Sequence, residues 1–427
     1  MASAQQSRIG GFDLSLRPVT AVLALAIGFA SIVAATQAAQ AQSFTVIHAF
    51  TGGMDGGNPY AGLTFDRGGN LYGTAYEGGV DNCEYGCGLV FKLSRSGPGW
   101  TLTTLHDFLG SNSDGAYPEG EVVFGPDGSL YGTTSSGGSG NCYGCGTVYN
   151  LKPPQTACKT VSCSWTETVL YLFTGHDDGG FPVYVVPVFD QAGDLYGTTA
   201  YDGVFDDGVV FKLTRSNGGW SESVIHAFGG PDGSHPMSGM IFDGAGNLYG
   251  TTEVGGRYSQ GSVFELSPSG SNWVATTLYS FEAGSDGAGP AGGLVFDQAG
   301  NLYGTDVVGG SGGGGTVFEL SPSGGSWTYA LLYSFPGGSA PFDSLVMDGA
   351  GNLYGTAQAG GAYQRGSVFR LAPFNGGWTY TDLYDFTGGD DGALPVGSVT
   401  VDAMGNLYGT APKGGAYGYG VAWEITP

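Results

Sequence analysis

Two sets of carboxylates in this chain of 427 residues have the type and spacing to do chemistry. One set recurs as Asp-Gly-x-x-Pro: Asp55, Asp114, Asp178, Asp232, Asp286 and Asp391 each stand four positions before a proline, from Pro59 to Pro395. The other is irregular. Asp81 and Glu84 fall in "EGGVDNCEYGCG" (77–88), and Asp202, Asp206 and Asp207 in "YDGVFDDG" (201–208). Clustered carboxylates and backbone carbonyls suit Ca²⁺. They also attract a cationic partner, and two held at the right separation cleave glycosidic bonds. Asp-Gly before proline is equally an ordinary turn in which Asp accepts backbone N–H groups. The recurring set reads first as turns, because only the sixth repeat breaks it, with Gly337 ahead of Pro341. The irregular five are the stronger candidates for binding.

Other chemistries are weaker. His48, His106 and His226 stand two residues before a closing Phe, where other copies of the pattern have Tyr171, Tyr279, Tyr333 and Tyr384. Exchange with Tyr marks a packing position with a polar tip rather than a general base. Only His176 and His235 fall where they could join an acidic site. No Gly-Lys-Ser/Thr follows any glycine run, and no Gly-x-Ser-x-Gly elbow is present, so phosphate-loop and serine-hydrolase chemistry have no support. Six cysteines form three local pairs, Cys83 with Cys87, Cys142 with Cys145 and Cys158 with Cys163. In an exported protein these read as disulfides. The first two pairs leave open a cross-pairing between neighbouring loops and a four-thiolate zinc site.

The elements that must position these residues come from a repeat. Leu-Tyr-Gly-Thr begins at Leu71, Leu130, Leu195, Leu248, Leu302, Leu353 and Leu407. Around each copy lie four short alternating runs, in the first "GLTFD" (62–66), "NLYGTA" (70–75), "GLVFKL" (88–93) and "WTLTTLHDF" (100–108), separated by Gly, Asp and Asn turns. Four antiparallel strands every fifty or so residues predict a β-propeller with one repeat per blade. The fourth run spans Trp to Phe in only six copies, from Trp100–Phe108 to Trp378–Phe386. The seventh is expected from "SFTVIHAF" (43–50), which closes the ring against the C-terminal blade and removes two open sheet edges. The expectation is an all-β, seven-bladed propeller over 42–427. Its loops joining second to third and fourth to first strands share one face. The recurring Tyr, from Tyr72 to Tyr408, reads as packing between blades ahead of a sugar-binding ring.

Residues 1–41 read as a signal peptide: Arg8 and Arg17, an apolar run from Val19 to Val33, then Ala39-Gln40-Ala41. Cleavage leaves 11 basic against 36 acidic residues, a surface that repels nucleic acid and anionic lipid. The mature chain is expected to be secreted or periplasmic, acidic and monomeric, with no membrane span.

Stretches such as "FTGGDDGALP", "DAMGNLYGT" and "PKGGAYGYG" resemble the tandem repeats of Gloeobacter and Verrucomicrobia, the GloVer repeats, over nearly the whole mature chain. The resemblance implies an exported or surface-anchored protein and carries no activity. The leading expectation is a non-catalytic module for a glycan or protein ligand, without a cofactor unless Ca²⁺ binds. The alternatives are a glycan-active hydrolase or lyase with carboxylates at the tunnel mouth, and a purely structural repeat protein.

Overall fold

The computed structural model describes residues 42–427 except 81, 112–113, 139–143, 155–164 and 217–218. The expected signal peptide, Asp81, Cys142, Cys158 and Cys163 lie outside the described residues. Seven four-stranded antiparallel sheets stand round an axis. Blade one runs outward as Thr64–Phe65, Leu71–Ala75, Leu89–Ser96 and Gly99–Asp107, and the next five repeat that order. Blade seven is built from both ends of the unit. Thr400–Val401, Leu407–Ala411 and Val421–Thr426 are completed by Ser43–Ala49, in a register from Ser43 opposite Thr426 to Ala49 opposite Val421. The ring is closed as the strand count requires.

The recurring phrase is the weld between blades. Its Leu is fully buried in each blade, from Leu71 to Leu353, and nearly so at Leu407. Such burial contributes about 1.5–3 kcal/mol per side chain. Its Tyr packs on the next blade: Tyr72 meets Phe124 and Trp165, Tyr196 meets Phe242 and Trp273, and Tyr408 meets Phe65 and Trp100. Its Gly makes room for the aromatic ring of the third strand. A Cβ on Gly73 would stand 2.7 Å from Phe91, and one on Gly409 2.3 Å from Trp423. Its Thr hydroxyl donates to a carbonyl of the following blade, as Thr74 to Gly120, Thr251 to Gly292 and Thr410 to Ala61. These tyrosines are spent on packing and form no sugar-binding ring.

The hairpin between first and second strands is an Asx turn. Asp66 accepts the Gly68 and Asn70 amides at 2.8 and 2.9 Å, the Asn70 side chain at 2.7 Å and the Tyr72 hydroxyl at 3.0 Å. Gly69 supplies the positive φ, 78°. The same bonds recur at Asp243, Asp297, Asp348 and Asp402.

On the other face, bridges such as Gly57 to Glu77, Ser234 to Val254 and Ala393 to Lys413 tie together the two kinds of loop within one blade. The residue before each recurring loop proline donates its N–H to the preceding blade, as Asn58 to Tyr419, Tyr117 to Cys87 and Leu394 to Arg365, all at 2.8 Å. Among the described residues no helix is long and apolar enough to cross a membrane.

A candidate ligand funnel at the centre of the loop face

The chain enters each innermost strand through the few residues that follow the loop proline, and these line the axis at the loop face. In most blades they are small or apolar: Ala61 and Gly62, Ala291 to Gly293, Val396 and Gly397. Blades two and six depart from this with Glu119, Glu121 and Asp343, and blade three inserts a residue and presents Tyr184.

These departures meet at the axis. Glu121 accepts the Thr64 hydroxyl of blade one at 2.9 Å and the Ser398 hydroxyl of blade seven at 2.9 Å. Asp343 accepts the amides of Ser344 and Ser398. Ser398 therefore touches both carboxyl groups, although they come from blades two and six. Glu119 accepts the Ser135 hydroxyl at 2.8 Å. An aromatic wall stands over them. Tyr60 meets Tyr76 edge-on at 5.4 Å and Tyr184 at 6.5 Å, Tyr76 stacks on Tyr117 at 4.8 Å, and Tyr184 meets Phe342 at 5.3 Å.

Glu119, Glu121 and Asp343 are half-buried. Burial pushes Glu119 up to about 7, against the Ser135 bond. Burial also raises Glu121 to about 7; the Ser398 and Thr64 bonds oppose this and the Asp343 charge adds to it. Asp343 rises to about 6 by burial, opposed by the bonds from Ser344 and Ser398. Tyr76 is pushed up to about 12 by burial and by Glu119. At neutral pH the site holds carboxyl groups poised between acid and base, facing aromatic rings.

The profile of the Gloeobacter/Verrucomicrobia repeat matches residues 32–183 and 183–423. The chain belongs to this repeat family. No curated protein matches this repeat protein in sequence. Among solved structures it is similar to a "putative 6-phosphogluconolactonase" from Bacteroides uniformis, with 16% identity, 79% of this chain and 87% of the other covered, and a TM-score of 0.52. It is also similar to the extracellular domain of a "putative one component system" from B. thetaiotaomicron, with 14% identity, a TM-score of 0.51, and 90% of this chain but 42% of the other covered. A gluconolactonase from Xanthomonas campestris superimposes less closely, with 16% identity, 61% and 74% coverage and a TM-score of 0.37. The first two likenesses agree with the propeller fold.

The carboxylates singled out in the sequence lie elsewhere on the repeat. Asp55, Asp178, Asp286 and Asp391 accept amides of their own turns, at Thr51, Thr174, Glu282 and Thr387, and Asp114 and Asp232 do the same with Leu109 and Gly229. Each also faces the His or Tyr near the end of the preceding outermost strand. His48 to Asp55 is 3.0 Å, His226 to Asp232 is 2.8 Å, Tyr171 to Asp178 is 2.8 Å and Tyr384 to Asp391 is 2.9 Å. Their partners hold them at the outer strands, one to a blade interface.

Glu84 stands in blade one beside exposed Tyr85, whose hydroxyl bonds to it. Asp202, Asp206 and Asp207 share a loop of blade three, so blade two separates the two groups. Burial raises Asp202, helped by the charges of Asp206 and Asp178. Asp207 accepts the Ser234 hydroxyl at 2.6 Å, and its carbonyl takes the His235 amide. His235 lies against Tyr201 at 4.7 Å, while the charge of His176 acts on Asp202. Among the described residues no group of three or more His, Cys, Asp or Glu side chains is arranged to hold a metal ion.

Cys83 is bonded to Cys87, which excludes cross-pairing of these two with the next blade and the four-thiolate zinc site. Cys145 is also disulfide-bonded, to a partner outside the described residues.

A groove of about 1190 Å³ is on the hairpin face between blades three and four, lined by Asp190, Tyr196, Lys212, Asp243 and Trp273. Smaller versions recur between blades seven and one and between two and three. It is the seam of the repeat, and its carboxylates are already bonded in their turns. The funnel is what the repeat does not explain. Glu121 and Asp343 were legible in the sequence as acidic residues where most sister repeats have Gly, Ser or Ala, and Glu119 as one where they have Tyr, Val, Met, Phe or Ala.

Proposed function

We propose that this protein is exported and binds a carbohydrate in the funnel at the centre of its loop face. One observation carries the reading: Glu119, Glu121 and Asp343, which all depart from the repeat, come together beneath Tyr60, Tyr76, Tyr184 and Phe342. Aromatic faces suit the apolar faces of a sugar ring, and carboxyl groups bond its hydroxyls. The family match and the Cys83–Cys87 disulfide support an oxidising, extracytoplasmic location. A glycan array on the mature chain, with and without Ca²⁺, should give binding that Tyr184→Ala and Glu119→Gln each weaken at least tenfold. Unaltered binding in both variants would place the ligand elsewhere.

A second reading is acid–base chemistry on that ligand. The carboxyl groups raised to about 7 and about 6 favour it, since one can hold a proton while another is ionised at neutral pH. Turnover of a bound oligosaccharide, bell-shaped in pH and abolished by Glu119→Gln or Glu121→Gln, is the expected result. Binding without turnover leaves the module non-catalytic.

A further inference from the structure

A recurring feature of the loop face has no structural explanation in burial. In six of the seven loops joining second to third strands, an aromatic residue stands three positions before the closing glycine: Tyr85, Tyr143, Phe205, Tyr258, Tyr363 and Tyr417. Blade five has Gly312 there, and Tyr143 lies outside the described residues. Other aromatics that recur once per repeat are packed, as the Leu-Tyr-Gly-Thr tyrosines and the closing phenylalanines show. These are not. Tyr85 is 69% exposed, Phe205 60%, Tyr258 41%, Tyr363 58% and Tyr417 62%.

The loops nonetheless hold the rings on ordered turns. The residue after each ring has positive φ, 62° at Asp206, 60° at Ser259 and 57° at Gln364. Its N–H donates to the carbonyl three residues back, at Gly203, Gly256 and Gly361. The closing glycine then bonds across the neck of the loop, as Gly208 to Asp202 at 3.0 Å and Gly366 to Gly360 at 3.2 Å. Loops whose backbone is ordered in advance lose little freedom on binding.

We propose that these loop-tip rings form a crown that docks an uncharged polysaccharide, each ring stacking on one sugar face. The chain carries a net charge of −24, and carboxylates adjoin the rings, Glu84 beside Tyr85 and Asp206 beside Phe205, so an anionic polymer is repelled. A protein partner would bury about 800 Å² of continuous surface whose centre is poor in Asp and Glu. Here the described rings stand one to a blade in glycine-rich loops, with Glu84 beside Tyr85, Asp206 beside Phe205 and the Arg257 guanidinium over Tyr258 at 5.4 Å. Separate, identical, weak contacts suit a polymer that presents the same apolar face at intervals, where avidity adds the contacts together. The crown uses none of the funnel residues, and it extends the carbohydrate reading from one bound sugar to an extended chain.

The test is retention of the mature chain on insoluble cellulose, chitin, curdlan and granular starch. Retention on at least one is expected. The fivefold variant Tyr85→Ser, Phe205→Ser, Tyr258→Ser, Tyr363→Ser and Tyr417→Ser should lower the retained fraction at least tenfold, with an unchanged melting temperature. If it does not fold, the pairs Tyr85→Ser with Phe205→Ser and Tyr363→Ser with Tyr417→Ser should each lower retention several-fold. No retention of the unmodified chain on any of the four, or equal retention of the variants, overturns the crown. Glu119→Gln, measured alongside, separates the two sites: retention lost in it and kept in the crown variants assigns the binding to the funnel and also overturns the crown.

Discussion

The hydroxyl of Ser398 in blade seven donates to Glu121 of blade two at 2.9 Å, passing in front of blade one. The bond is possible because blade one has Gly62 there, where a Cβ would lie 2.1 Å from the Ser398 hydroxyl and 2.9 Å from the Glu121 carboxylate. Gly62→Ala should therefore break this link, cost about 1–3 kcal/mol by overpacking and weaken funnel ligands. Calorimetry against the unmodified protein checks it; an unchanged melting temperature would mean that the contact is loose.

Stability should fall as pH rises through neutrality. Glu119, Glu121, Glu167 and Glu222 are raised to about 7 and Asp343 to about 6, with burial the leading cause in each. The folded state then holds protons that the unfolded chain has released. Their contribution is complete below the unfolded value of about 4.5 and is lost as pH climbs towards 7 and beyond. The hairpin carboxylates Asp66, Asp243, Asp297 and Asp348 act in the opposite sense. Burial works to raise them, but their combined hydrogen bonds hold them below the usual value, so their contribution is lost below about pH 4. Denaturant midpoints should peak between about pH 4 and 6 and be lower at pH 8. Glu167→Gln, at the blade one–two interface beside Asp114 and His106, should flatten that alkaline slope.

Ring closure can be tested by deletion. Ser43–Ala49 covers the edge of Val421–Thr426, and Phe50 and Ile47 are buried. Removing 43–50 should lower the melting temperature by at least about 4 °C, since about 3 kcal/mol or more of apolar burial goes with those two side chains alone. A truncated chain that melts like the intact one would contradict closure.

Thiol titration of the exported protein under denaturing, non-reducing conditions should find no free cysteine. Peptide mapping should return Cys83 with Cys87 and, in the long loop of blade two, Cys158 with Cys163.

The sequence by itself determined the blade count, the strand order and the closing strand, because these follow from periodicity: Leu, Tyr, Gly and Thr recur wherever a blade must meet its neighbour. Tertiary structure alone decided which residues meet in the candidate site. Glu121 and Asp343 are 222 positions apart in the chain, and nothing local brings them to Ser398; the closed ring does, by setting every innermost strand at one axis. The Asp-Gly-x-x-Pro carboxylates, read first as turns from the sequence, are bonded within those turns and to a neighbouring His or Tyr. Charge is written in the chain, but the dielectric surroundings that make a carboxyl group hold its proton near neutral pH exist only once seven blades have packed around it.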